Sequence, residues 1–194
     1  MDSAFWRSLP PLIKRIVTIS IIFIFAVAMT TVGTLTPIEK KEAEELNKEF
    51  EETITFLKEH DSLLQFIFGN NFMLTLIMFI PFVGPVFGGY VFYNTGYVIA
   101  ADAAVKGYNP TLRFLFILIL MPFAWLEFAA YSAAIAESMW LTYRIFQGKG
   151  KRELENASKF IAFCAVILFV AAIIETALIY LALSQNEAPN GHYF

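Results

Sequence analysis

The chain has 194 residues, of which 58% are hydrophobic and 16% charged, with a net charge of −3 at neutral pH. A soluble globular domain carries about a quarter of its residues as Asp, Glu, Lys and Arg, so this balance excludes that class. It also leaves no room for a soluble catalytic domain beside the apolar bulk, and the chain reads as an all-α membrane protein.

Residues 13–35 predict a first transmembrane helix, because the run supplies the roughly 20 apolar residues that cross a hydrocarbon core. A signal peptide would show a shorter apolar core and a small-residue cleavage site, so the segment reads as an uncleaved anchor. Arg7, Lys14 and Arg15 at its start place the N-terminus in the cytoplasm.

Residues 36–64 predict an extracytoplasmic amphipathic helix. Thr36 reads as its N-cap, Pro37 as the first helical residue and Glu39 as the far side of a capping box. Ala43, Leu46, Phe50, Leu57 and Leu64 fall on one helical face, and Leu46, Phe50 and Leu57 are the candidate partner-binding residues. Residues 36–62 carry nine acidic side chains against four lysines.

The apolar block 66–105 is too long for one span and contains its own break at Pro81-Phe82-Val83-Gly84-Pro85, followed by Gly88-Gly89. Such a sequence makes a poor helix interior. The block therefore reads as a broken helix pair, its first half a short span or one arm of a re-entrant hairpin. Asn109 and Pro110 then start a new helix after an outer turn. Residues 111–146 predict one long fourth span kinked at Pro122, and 158–184 a fifth. Arg144, Lys149, Lys151, Arg152 and Lys159 pin the loop between them to the cytoplasm. The expectation is a single polytopic membrane domain over residues 1–194 with about five transmembrane helices, N-terminus inside and C-terminus outside, the polar tail after Ser184 following the last span.

Asp102, Glu127 and Glu175 interrupt these apolar runs, and an ionisable group within a span is a functional-site hypothesis by default. Each lies 18 residues from the chosen inner end of its span, roughly 27 Å at 1.5 Å per residue, so the three fall at one level. Glu127 shares a face with Tyr131, Ala134 and Ser138, and Glu175 shares one with Cys164, Leu168 and Ala171. Small residues on both faces let helices approach closely. Two readings stay open for the glutamates, a proton- or cation-handling site and hydrogen-bonded glue between helices. Lys106 stands one turn after Asp102 as its partner, and Glu137 reads as interfacial. Asn71 and Asn94 complete the candidate intramembrane polar site.

No Walker motif, His-Glu-x-x-His or Gly-x-Ser-x-Gly occurs, and the single Cys164 and two histidines, His60 and His192, offer no metal set. No enzyme, no cofactor, no metal site and no nucleic-acid partner are expected. The expected partners are the lipid bilayer and either a second copy of the chain or another membrane protein.

Four short motifs in order, Phe68-Gly69-Asn70-Asn71, Tyr93-Asn94-Thr95-Gly96, Leu126-Glu127-Phe128-Ala129-Ala130-Tyr131 and Ala171-Ala172-Ile173-Ile174-Glu175-Thr176-Ala177, resemble those of the stage II sporulation protein M family. They cover roughly residues 66–180 and make Asn71, Asn94, Gly96, Glu127 and Glu175 the characteristic positions. Where that family carries a Gly pattern beside the glutamate, this chain has Pro122-Phe123-Ala124. The resemblance implies a non-catalytic membrane scaffold, since sporulation members look like recruiters of cell-wall hydrolases. The buried acids carry the competing expectation of a small transporter, channel or permease subunit.

Overall fold

The computed structural model describes residues 8–187, and among them the fold is all-α: α1 Pro11–Thr34, α2 Lys40–Glu59, α3 Leu63–Met78, α4 Val83–Lys106, α5 Pro110–Leu120, α6 Pro122–Phe146 and α7 Gly150–Glu187. Arg7, His192 and most of the polar tail lie outside the described residues.

The expected five spans do not stand. Among the described residues, two helices are long and apolar enough to cross a membrane, α1 and Glu153–Ala182 of α7. Among these same residues the number rises to three if α4 and α5, bent by 115° at their junction, form one broken span, and stays at two if they form a re-entrant loop. Three physical causes separate the expectation from the structure. The 16 residues of α3 reach only roughly 24 Å, short of a hydrocarbon core of roughly 30 Å. The stretch read as one kinked span over 111–146 is two helices, because Pro122 forces Met121 into an extended conformation (φ −98°, ψ 105°). The remaining helix α6 has its apolar character diluted by Glu127, Glu137, Tyr131, Ser132 and Ser138, side chains that face protein.

Helix α6 is the hub. All nine residues from Ala130 to Ser138 are buried, as expected of a helix packed on every side. Its alanines meet Cys164, Leu168 and Ala171 of α7, all fully buried, and the Cys164 thiol lies 3.6 Å from the Ala130 carbonyl oxygen. Ala124, where the glycine pattern is missing, is also buried.

Helices α1 and α4 cross backbone against backbone. A Cβ added at Gly33 would overlap the Tyr93 carbonyl oxygen, and one at Gly96 would overlap that of Thr30. Just beyond the crossing, the Thr36 hydroxyl bonds the Val32 carbonyl and the Tyr93 hydroxyl (3.1 Å each). The expected capping box therefore does not form. Thr36 completes α1 instead, and α2 starts at Lys40 after Glu39 with no side-chain cap.

Local chemistry sets the α4–α5 turn. Gly107 ends α4 in the left-handed region (φ 73°), Asn109 Oδ1 accepts from the Leu112 amide (3.0 Å), and Pro110 takes the first helical position. The α3–α4 turn is tighter and is held from outside. There Phe82 adopts φ 66°, its N–H donates to Thr142 Oγ1 (3.1 Å), and Ser138 Oγ donates to the Ile80 carbonyl (2.7 Å).

Candidate functional site

Helix α3 buries Ile67, Thr75 and Met78 at helical spacing, and that face carries Asn71 toward α6. Glu127 and Tyr131 stand one turn apart on α6. The Asn71 amide uses both of its ends there: Nδ2 donates to Glu127 Oε1, and Oδ1 accepts from the Tyr131 hydroxyl (2.9 Å). Glu175 on α7 comes within electrostatic range of Glu127 and Tyr131. Three helices thus converge on two carboxyls, one amide and one phenol. Such a set can share a proton, hold a cation, or lock α3 against α6 through satisfied hydrogen bonds.

The other residues singled out in the sequence lie elsewhere. Asp102 is tied to Lys106, its expected neighbour, and also to Arg113 Nε (3.3 Å) across the turn. It braces α4 against α5 and does not join the glutamates. Asn94 is exposed on α4. On α2, Leu57 is buried with Leu63, Ile67 and Ala172, Leu46 is partly buried, and Phe50 is exposed.

A second polar cluster went unforeseen. Arg15 of α1 bonds Glu137 of α6 through Nη1 and Glu153 of α7 through Nη2, so one guanidinium ties three helices. Arg144 Nε stands 3.7 Å from the other oxygen of Glu153. The Arg15 guanidinium also lies 5.9 Å from the Trp140 ring centroid and 5.5 Å from that of Phe160. Glu137, expected at the interface, is 1% exposed, and Glu153 is buried at the start of the α7 span. The signal was present in the sequence: Arg15 opens α1 and Glu137 nears the end of α6, so antiparallel helices bring them to one end of the bundle. Among the described residues, no group of three or more His, Cys, Asp or Glu side chains is placed to hold a metal ion.

Comparison with known protein families finds that the family described as Stage II sporulation protein M matches residues 17–178 of the chain. No curated protein and no solved structure matches it.

Proposed function

The chain belongs to the stage II sporulation protein M family, and from that premise we propose that it is a non-catalytic, self-associating integral membrane scaffold that recruits a partner through α2 on the extracytoplasmic side. Helix α2 carries the proposal, because its own chain fixes it at both ends and leaves the middle displayed. At one end Ala43 is buried and Glu42 accepts a hydrogen bond from the Tyr97 hydroxyl (2.7 Å). At the other, Leu57 packs into the cluster of Leu63, Ile67 and Ala172. Between these anchors Phe50 is 57% exposed, on a helix with seven glutamates and four lysines. A rigid acidic helix that displays an aromatic side chain suits a basic partner surface with an apolar slot.

Pull-down of the tagged protein in mild detergent is expected to recover a stoichiometric partner. Leu46→Glu/Phe50→Glu should weaken that recovery by roughly 30-fold or more, since a charge forced into a desolvated contact costs about 2 kcal/mol or more. Recovery of the same partner at the same level by the variant would sink the proposal.

The Asn71–Glu127–Tyr131 constellation, with Glu175 beside it, favours a second reading, a carrier that handles protons or cations. Glu127→Gln/Glu175→Gln separates the two. The amide keeps the shape and the hydrogen-bonding capacity, so a scaffold should retain its partner, with a stability change within about 1 kcal/mol. A carrier should lose proton or cation flux in reconstituted vesicles, and undiminished flux in the variant would discard the carrier.

A further inference from the structure

At the end of the bundle where Arg15 meets its acids, α1 and α6 diverge around a pocket of about 580 Å³. Its walls carry Lys14, Arg15 and Arg144 together with Trp140, Tyr143 and Met139. We propose that this pocket holds the phosphate-bearing headgroup of an anionic glycerophospholipid, with the acyl chains lying along the exposed apolar side of α1.

Three observations converge on that ligand. Cations come from two different helices, and three of them against the two paired carboxylates Glu137 and Glu153 leave this end of the bundle net positive. Arg144 uses Nε toward Glu153 and Nη1 toward Gln147 (3.0 Å), which leaves the Nη2 hydrogens of its fork for an acceptor. The indole N–H of Trp140, a donor-only group, is buried with no acceptor among the described residues. Each of these groups suits phosphodiester or ester oxygens.

The surroundings select an amphiphile over a free anion. Ile13, Ile16, Met139 and Ile145 beside the pocket are between 43% and 53% exposed, and α1 is long and apolar enough to cross a membrane. In a bilayer that wall meets acyl chains, so an anion carried on an acyl-bearing molecule reaches the pocket from the side where lipid already lies. Trp140 and Tyr143 are also the side chains enriched at the level where headgroups meet hydrocarbon.

The test is native mass spectrometry of the full chain in detergent, titrated with phosphatidylglycerol or phosphatidylcholine. Phosphatidylglycerol should be retained over phosphatidylcholine. Lys14→Gln/Arg144→Gln should lower its affinity by roughly 25-fold, about fivefold for each cation removed near a headgroup. Equal retention of the two lipids, or undiminished phosphatidylglycerol binding by the variant, would overturn the proposal. A second measurement keeps the cations intact. With Trp6→Phe and Trp125→Phe, Trp140 is the single tryptophan, and phosphatidylglycerol brominated on its acyl chains should quench it more than brominated phosphatidylcholine does. Equal quenching would count against the site. Inorganic phosphate should leave the bound lipid in place, and its displacing phosphatidylglycerol would assign the pocket to a free anion and overturn the lipid assignment.

Discussion

Arg15→Met is expected to destabilise the folded protein by about 3–5 kcal/mol, the usual consequence of removing one partner from a buried ion pair. The Glu137 side chain is 0% exposed and that of Glu153 7%. Arg15 holds both, so its loss strands Glu137 in a low-dielectric interior and leaves Glu153 with Arg144 alone, the two carboxylates facing each other across the gap. Met preserves most of the apolar stem, which makes the effect one of charge more than of packing. Arg15→Lys should recover only part of the loss, because an ammonium cannot present the two-armed fork that reaches both acids. The decisive comparison is Arg15→Met combined with Glu137→Gln and Glu153→Gln. If charge is the cause, the triple variant should regain most of the stability, since the stranded charges are gone. Thermal unfolding in detergent, followed by circular dichroism, measures all three. A triple variant less stable than Arg15→Met would locate the cause in packing.

The α1–α4 crossing should give the second large effect. Gly96→Ala adds one methyl group, yet that methyl would overlap a carbonyl of the facing backbone, which no rotamer change can relieve. A loss of about 2–3 kcal/mol is expected, at the upper end of overpacking costs. Gly33→Ala should behave alike, and the two together should cost less than their sum, because either one already opens the same crossing. Gly69→Ala is the control. Nothing lies within 4 Å of its added Cβ, so replacing a mid-helix glycine should be neutral or stabilising by up to about 1 kcal/mol. If Gly96→Ala melts with Gly69→Ala, the crossing is looser than its geometry indicates.

What could be read from the sequence was whatever short-range chemistry decides. The turn at 107–110 is fixed by a glycine free to adopt positive φ, an asparagine that caps and a proline that starts a helix, all within four residues. Thr36 shows the limit of such reading. Its capping pattern was locally sound, but a phenol from a helix 57 residues away captured the hydroxyl. The span count failed for a related reason. An apolar run does not show where its backbone breaks, and once Met121 separates α5 from α6 neither helix alone is long and apolar enough to cross. The polar residues Asn71, Glu127, Tyr131 and Glu175 stood out because each interrupts an apolar run. Their convergence depends on three helices packing together, which spacing within one helix cannot express. Arg15 reads as a marker of topology and Glu137 as interfacial because each sits near a helix end, where a charge ordinarily finds water.

The corner at Phe82 bears on the order in which this chain can be assembled. A bulky residue in the left-handed region is unfavourable by roughly 1–2 kcal/mol, and the groups that hold the corner, Thr142 on Phe82 and Ser138 on Ile80, lie 60 and 58 residues beyond their partners. Ribosomes deliver α3 and α4 well before those hydroxyls exist. The corner is therefore disfavoured during its own synthesis. It stays an unlatched joint until α6 arrives, and the hub of the bundle is also the element that completes the helices made before it.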